Sequence, residues 1–253
     1  MSDQNPIPIR TDVPPSMHPD ALANLSDTLT QKDTLGVNVW NVAREAMQLC
    51  YQQYGLLNDT EKSVKEVQST RRLVNGRPTE VAATSKELAN AAEAAWKRVA
   101  PMIDRKVKEL TGTQTVLANR VAEALDDPNR KSPVGIALAS EVRGYVKSLP
   151  LEDRTPFIAN AINEGDKATI AAILHAQPFL SGLTALAHSN MRKQAAAKFA
   201  PLDSVQHDAA ITAINYVTEA GSRLAARYGK VMHSMRQTPV EKAADQLKAL
   251  AGG

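Results

Sequence analysis

The sequence is poor in cysteine, in aromatic residues and in long apolar runs, and each shortage excludes a class of protein. A single cysteine, Cys50, excludes an internal disulfide and a zinc site built from cysteines. Phe, Trp and Tyr together make up 4% of the 253 residues. No run approaches the ~20 apolar residues of a membrane-spanning helix, and no apolar signal-peptide region is recognisable near residue 1. These features lead us to expect a cytoplasmic protein.

An excess of charge of one sign is also absent. The chain has 30 basic and 27 acidic residues, for a formal net charge of +3. Because phosphate contacts supply most non-specific affinity for nucleic acid, a nearly balanced total does not indicate a dedicated nucleic-acid binder. The one local excess is +4 between Arg192 and Arg236. It is explained either as a solvated helix face or as a contact surface for an acidic partner or DNA, and we favour the solvated face.

Recognisable catalytic motifs are missing from the sequence. There is no HExxH, GxGxxG, Walker loop or GxSxG, and no two of the five histidines lie four residues apart. His207 and Asp208 are neighbours, and adjacent residues on a helix are not expected to face each other. We expect Cys50 to be a buried apolar residue rather than a nucleophile. The sequence therefore predicts a protein that is not an enzyme, with no catalytic residue, cofactor or metal.

Helical patterning fills most of the chain. It is 43% hydrophobic and rich in alanine, the best helix former. Three stretches place apolar residues at alternating steps of four and three, which is the spacing of a heptad seam. We therefore predict an all-α fold built on a bundle of long helices with heptad-like seams. The predicted seams are Gly36, Trp40, Ala43, Met47, Cys50, Tyr54, Leu57; Val81, Ser85, Leu88, Ala92, Ala95, Val99, Met102; and Ala210, Ile214, Val217, Gly221, Leu224, Tyr228, Val231, Met235.

Local signals predict where the long helices begin, end or break. The residues Asn58-Asp59-Thr60 are good N-caps and predict that a new helix follows them. A break is expected at Asn75–Pro78, and the next helix is expected to begin at Thr79. Pro101 is expected to kink that helix, and Thr111-Gly112-Thr113 offers a point of division. A final short helix is predicted at Val240–Leu250.

The stretch from Leu149 to Asn190 has the highest density of helix start and stop signals. Ser132-Pro133 predicts the helix that precedes it, with an apolar face of Val134, Leu138, Val142, Tyr145 and Leu149. Within the stretch, Thr155-Pro156 predicts a short helix that Gly165 ends. Asp166 then caps the next helix, and Gln177-Pro178 breaks the chain again. This pattern predicts a compact cluster of short helices.

Five prolines mark residues 1–19, which we predict to form an extended arm outside the core. Such a segment is either a disordered tail or an arm that lies on a partner. In the second case its apolar contacts are Ile7, Ile9, Val13 and Met17. The predicted organisation is the arm (1–19), a long-helix region (20–131), a compact short-helix subdomain (132–190), and a long helix with a C-terminal helix packing back on the bundle (191–253).

Two alternative functions follow from the same stretch. Ala161 and Gly165 have the spacing of a helix-turn-helix, whose DNA-reading helix then starts near Lys167. That helix offers only Lys167, Thr169 and His175 to base edges, and its surroundings carry a local charge of −2, which repels phosphate. The other alternative is an intracellular helical enzyme with an unfamiliar site. The residues of this stretch favour neither the DNA-binding nor the enzyme alternative.

The phrase around the Glu164-Gly165-Asp166 turn, together with the later run QPFLSGLT, resembles uncharacterised proteins encoded by phages and prophages. The overall plan is similar to helical structural proteins of tailed-phage particles, such as head-to-tail connectors, internal core proteins and scaffolds. The resemblance covers about 40 residues and implies a non-enzymatic virion role, with other virion proteins and copies of itself as partners. It further implies a location in the host cytoplasm during assembly and then in the virion.

Overall fold

The protein is all-α, as predicted, and no strand occurs in the described residues. The computed structural model describes residues 7–30, 34–74 and 78–236, with side chains except in 67–84. The predicted helix Val240–Leu250, the break at 75–77 and the seam residue Val81 therefore lie outside what is described. The α-helices are α1 (Ser26–Leu29), α2 (Thr34–Val74), α3 (Pro78–Ala124), α4 (Pro133–Ser148), α5 (Leu151–Glu164), α6 (Lys167–Leu174), α7 (Ala185–Phe199) and α8 (Pro201–Arg236). Short 3-10 helices lie at Pro15–Met17, Pro19–Leu25 and Pro178–Ser181.

The chain forms two compact units. The first comprises Met1–Thr30, Val37–Leu110 and Thr212–Gly253, and the second Gln31–Gly36 and Thr111–Ile211. The boundaries predicted at 131 and 190 therefore fall inside the second unit. The reason is visible in its core, which draws on residues from both sides of the short helices: Leu125, Val146, Ile158, Ala161, Ile162, Ile170, Ile173, Leu174, Leu183, Met191 and Ala195.

The long helices continue through positions where the sequence predicted interruptions. α2 passes through Asn58 without a break, because the Asn58 side chain has partners elsewhere in the first unit and does not cap a helix. α3 passes through Thr111–Thr113. A helical glycine such as Gly112 costs only about 1 kcal/mol relative to alanine, which the rest of a 47-residue helix can offset.

The buried side of each long helix follows an apolar stripe. On α8, six of the eight predicted seam residues are buried, namely Ala210, Val217, Leu224, Tyr228, Val231 and Met235. On α3 the predicted seam residues Ser85 and Val99 are buried, but Met102 is 48% exposed. Ala89 and Ile103, each one position after a predicted seam residue, are buried instead. Trp96 belongs to the same shifted stripe and its ring lies 5.1 Å from that of Tyr228.

The predicted apolar face of α4 is wrong at three of its five positions, although Val142 does pack against the core of the second unit. Val134, Leu138 and Tyr145 are exposed, and the buried positions are Gly135, Ala139 and Val146. Small residues let α4 approach its neighbours closely. A Cβ atom at Gly135 would lie 2.1 Å from the carbonyl oxygen of Asn129, so only glycine fits there.

Most of the helix starts and ends predicted in and just before Leu149–Asn190 are confirmed. Ser132 caps α4 by accepting a hydrogen bond from Gly135 N, and Asp166 caps α6 by accepting one from Thr169 N. Gly165 ends α5 with φ of 81°. One start is wrong: α5 begins at Leu151, a turn before Pro156. Its first turn is held by the Arg154 guanidinium, which donates to carbonyls outside the helix.

Candidate functional site

The N-terminal segment packs against its own chain rather than extending away from it. We call residues 7–29 the strap. Proline starts each of its two 3-10 helices, where a missing N–H costs nothing. The strap buries Val13, Met17, Leu22, Leu25 and Leu29.

Two of the four predicted partner contacts therefore need correction. Val13 and Met17 are 2% and 0% exposed, because they belong to the apolar core of the first unit. A partner cannot reach them while the strap is docked. Ile9 is 82% exposed and Ile7 is half-buried, so these two remain on the surface.

Tyr51 of α2 is the central contact of the strap. Its hydroxyl accepts a hydrogen bond from Arg10 N at 2.5 Å and donates one to the Pro8 carbonyl oxygen at 3.2 Å. The His18 ring meets the Tyr51 ring edge-on, with centroids 4.8 Å apart. His18 Nδ1 accepts from Asp20 N, which leaves Nε2 to donate to the Ile7 carbonyl oxygen. These contacts fix the backbone on both sides of the buried apolar residues.

Arg10 attaches the start of the strap to α2 through two carboxylates. Its guanidinium bonds Asp59 at 2.6 and 2.8 Å and Asp12 at 2.9 Å. The hydrogen bond from Arg10 lowers the pKa of Asp12 to about 2 and lowers that of Asp59 as well. The guanidinium lies on Gly55, where a Cβ atom would be 2.9 Å from Nη1. Glycine on α2 leaves room for this close approach, and a larger residue there would require the Arg10 side chain to shift.

Asn58 extends the contact to α8. Its Nδ2 donates to the Asp12 carbonyl oxygen at 2.6 Å, and its Oδ1 accepts from Arg227 Nε at 2.8 Å. Arg227 also pairs with Glu61 and lies over the Tyr54 ring at 5.8 Å from the centroid. One amide thus joins the strap, α2 and α8, all within the first unit.

Side chains that could carry chemistry elsewhere have structural partners. Burial raises the pKa of the Cys50 thiol to about 12, so the thiolate is not formed at neutral pH. His207 Nδ1 lies 3.1 Å from Asp208 Oδ1 and its Nε2 lies 2.7 Å from Gln114 Nε2. The expectation that His207 and Asp208 do not meet is therefore wrong, because the imidazole reaches along the exposed helix surface.

A second histidine, His175 at the C-terminal end of α6, contacts the loop between α3 and α4. His175 Nε2 lies 3.5 Å from Asp126, whose carboxylate also accepts from Arg130 Nε at 2.5 Å. Burial lowers the pKa of His175, and the Arg130 hydrogen bond lowers that of Asp126. Among residues with described positions, no group of three His, Cys, Asp or Glu side chains could hold a metal ion.

The position of α6 counts against DNA reading. Its residues Thr169–Leu174 are all buried, and the Arg143 guanidinium donates to the Ala172 carbonyl oxygen on the helix surface. A recognition helix has to present its side chains to the major groove. Of the three residues that the sequence offered, Thr169 is buried and His175 pairs with Asp126.

The sequence analysis did not predict the polar contacts between the strap and α2. Arg10 and Asp59 are 49 positions apart and no local pattern connects them.

The described helices include none that is long and apolar enough to cross a membrane. Comparison of this chain with protein-family models, curated proteins and solved structures gives no match.

Proposed function

We propose that this chain is a non-enzymatic structural and assembly protein, and a component of a phage particle of the head-to-tail connector, internal core or scaffold type. It acts through helix–helix contacts and its N-terminal segment. Its partners are other virion proteins and copies of itself. The phage assignment is supported by the resemblance around the Glu164-Gly165-Asp166 turn, and the assembly role by the protein's surface.

The observation that carries the assembly role is the density of exposed apolar side chains in the second unit. Of the sixteen large apolar side chains exposed in the described residues, eight lie between Val134 and Leu186. Surfaces of monomeric proteins rarely expose large contiguous apolar patches, and such surfaces commonly mark contacts with other chains. Val134 and Leu138 are exposed one turn apart on α4, and Ile136 is exposed on another face of the same helix.

The chemistry-bearing side chains support a structural role in a second way. His175 and His207 join helices or loops of the second unit through Asp126 and Gln114. Arg154 and Arg143 hold backbone carbonyl groups. These polar residues stabilise the helical framework, and the apolar surface is left to meet other proteins.

The experiment is mass spectrometry on phage particles, both mature and precursor, purified from the source of this chain. We expect the chain in a fixed ratio to the major structural proteins of one of the two particle types. A scaffold is expected in precursor particles only, and a connector or core protein in mature ones. Absence from both types would overturn the phage assignment. Hydrolase or transferase turnover by the purified chain would overturn the non-enzymatic role.

A further inference from the structure

One side of α4 carries large apolar side chains that the rest of the described chain leaves uncovered. Val134, Leu138 and Tyr145 are all exposed. Their spacing places them within about 40° of one another around the helix axis and along about 16 Å of its length. This side of α4 is therefore long enough to lie against about three turns of another helix.

Small residues leave the same side open to close approach. Ala137 and Gly144 are exposed beside the three large side chains, and no atom of the described chain lies within 4 Å of a Cβ atom built at Gly144. Large side chains next to small ones form the ridges and grooves into which a second helix packs. A helix is therefore the element that fits this surface.

One carboxylate lies among these apolar residues. Glu141 is exposed and lies on the same side of α4, between Leu138 and Tyr145. We call Val134, Leu138, Glu141 and Tyr145 the α4 stripe. No Lys or Arg occurs three or four positions before or after Glu141, so α4 itself supplies no partner for an ion pair. The Arg143 guanidinium is used elsewhere, since it donates to the Ala172 carbonyl oxygen.

Further carboxylates border the stripe on α5. The Phe157 ring contacts the Tyr145 ring, with centroids 5.3 Å apart. Asp153 lies one turn before Phe157 and Glu164 two turns after it, on the same side of α5. Four acidic residues but only one lysine are exposed between residues 133 and 164, because the two arginines there are half-buried and bonded to backbone carbonyl groups. The surface around the stripe is therefore both apolar and acidic.

We propose that the α4 stripe docks an amphipathic, basic helix of a different protein. The docked helix has apolar residues at heptad spacing against Val134, Leu138 and Tyr145, and a lysine or arginine opposite Glu141. Further basic residues face the carboxylates of α5. This inference rests on the proposed assembly function and deepens it, because it states the chemistry of the segment that the exposed apolar surface meets.

The position of Glu141 argues against a second copy of the chain as the occupant. Glu141 lies near the middle of the stripe, so two α4 helices paired through this side bring their Glu141 carboxylates together at the centre of the contact. Like charges repel, and a carboxylate removed from water without a counter-charge is costly. A partner with a basic residue at this point forms an ion pair instead.

Peptide binding to the full chain tests the charge complementarity. The probe is an alanine-rich helical peptide with leucine at its heptad positions, except for lysine at the central one, and the matched peptide has glutamate in place of that lysine. We expect isothermal titration calorimetry to show that the wild type binds the lysine peptide about tenfold more tightly than the glutamate peptide, a difference of about 1.4 kcal/mol. Glu141→Lys is expected to reverse this order. Glu152→Lys is the control and is expected to keep the wild-type order, because Glu152 lies on a different side of α5 from Phe157.

A second pair of variants tests the apolar part of the stripe. Leu138→Gln is expected to weaken binding of the lysine peptide about tenfold. Ile136→Gln is the matched control, because Ile136 is also exposed but on another face of the same helix, and it is expected to bind as the wild type does. Both side chains are exposed, so neither substitution is expected to change the helix content measured by circular dichroism.

The outcomes separate the docking surface from the assembly function. Equal affinity of the wild type for the two peptides, or no binding of either at about millimolar concentration, overturns the docking proposal. A wild-type dimer that Leu138→Gln dissociates and Ile136→Gln does not overturns it as well, since a second copy then occupies the stripe. In these cases, presence of the chain in phage particles leaves the assembly function standing. Selective binding of the lysine peptide by a chain absent from particles supports the docking surface and overturns the phage assignment alone.

Discussion

Gln206 is fully buried in α8, and within the described part of the chain neither its Nε2 nor its Oε1 has a hydrogen-bond partner. A buried polar group without a partner costs about 1–3 kcal/mol. Methionine has nearly the same length and shape but no hydrogen-bonding atoms. We expect Gln206→Met to raise the free energy of unfolding by about 1–2 kcal/mol for this reason, as measured by urea denaturation.

The control for this prediction is Gln194→Met on the exposed side of α7, which is expected to change stability by less than about 0.5 kcal/mol. A loss of more than about 1 kcal/mol for Gln206→Met, typical of a broken buried network, would show that the amide is satisfied in solution.

Asp12 makes the stability of the folded chain depend on pH, through its contact within the strap. The Arg10 hydrogen bond lowers its pKa from 3.8 to about 2, so protonation is harder in the folded state than in the unfolded one. Its contribution to stability is complete above pH 3.8 and is lost as the pH falls toward 2. We expect the urea midpoint of the wild type to fall more between about pH 4 and pH 2 than that of Asp12→Asn.

Asp153→Asn, at an exposed position in the first turn of α5, serves as the control for Asp12→Asn and is expected to keep the wild-type slope. Equal slopes for the wild type and Asp12→Asn would mean that the ion pair with Arg10 is not formed in solution.

At the scale of elements, the turn between α5 and α6 rests on one glycine. Gly165 has a φ of 81°, and no atom lies within 4 Å of a Cβ built there, so a substitution meets backbone strain but no steric clash. Left-handed backbone costs an L-residue about 1–2 kcal/mol. We expect Gly165→Val to lower the unfolding free energy of the second unit by at least about that amount, with Gly165→Asn close to the wild type.

Circular dichroism during urea denaturation measures the free energy of unfolding of both Gly165 variants. Equal stability of Gly165→Val and Gly165→Asn would contradict the strain argument, because asparagine tolerates this region and a β-branched residue does not. Gly182 is a useful comparison. It shares the left-handed φ, but its Cβ would lie 2.5 Å from Arg154 Nη1.

Arg154 fixes the junction of α4 and α5. Its guanidinium donates to the carbonyl oxygens of Leu149 at 3.1 Å, Lys147 at 2.9 Å and Gly182 at 2.6 Å. Hydrogen bonds from a charged group contribute about 1.5–3 kcal/mol each before mutual coupling. We expect Arg154→Ala to lower the free energy of unfolding by about 2–3 kcal/mol.

Arg154→Lys is expected to recover little of that loss, because an ammonium group cannot reach three carbonyls as a planar fork can. Thermal denaturation followed by circular dichroism in the helix band compares both variants with Lys193→Ala, an exposed control on α7. Full recovery by lysine would mean that charge alone, and not the fork geometry, holds the junction.

The limits of prediction from sequence can also be located on particular elements. The starts and ends at Ser132, Gly165 and Asp166 were predictable because the cap chemistry is local to a few residues. The buried side of α4 was not, because its packing selects the small residues Gly135 and Ala139 over larger apolar neighbours. A hydrophobic pattern shows which side chains could be buried, and only the approach of neighbouring helices decides which are.

The polar contacts of the strap were beyond sequence reasoning for a different reason. Arg10, Asn58 and Asp59 are ordinary surface residue types, and their pairing depends on the strap folding back onto α2. Asn58 was interpreted as a cap because its local neighbours favour one. Its actual partners, Asp12 and Arg227, lie 46 and 169 positions away.

At the scale of the whole molecule, the question is what the N-terminal segment contributes to a single folded chain. A tail or an arm that only lies on a partner adds nothing to the stability of the free chain. The strap instead buries Val13 and Met17, and full burial of such side chains contributes about 1.5–3 kcal/mol each. Removal of residues 1–19 is therefore expected to lower the free energy of unfolding by about 3–6 kcal/mol.

Urea denaturation of the truncated chain measures this loss, and binding of an apolar dye such as ANS is expected to rise because the α2 surface around Tyr51 is uncovered. Ile9→Ala in the full chain is the control. Ile9 is 82% exposed, so its truncation is expected to leave both readings unchanged. A truncated chain with wild-type stability would show that the segment is an independent arm.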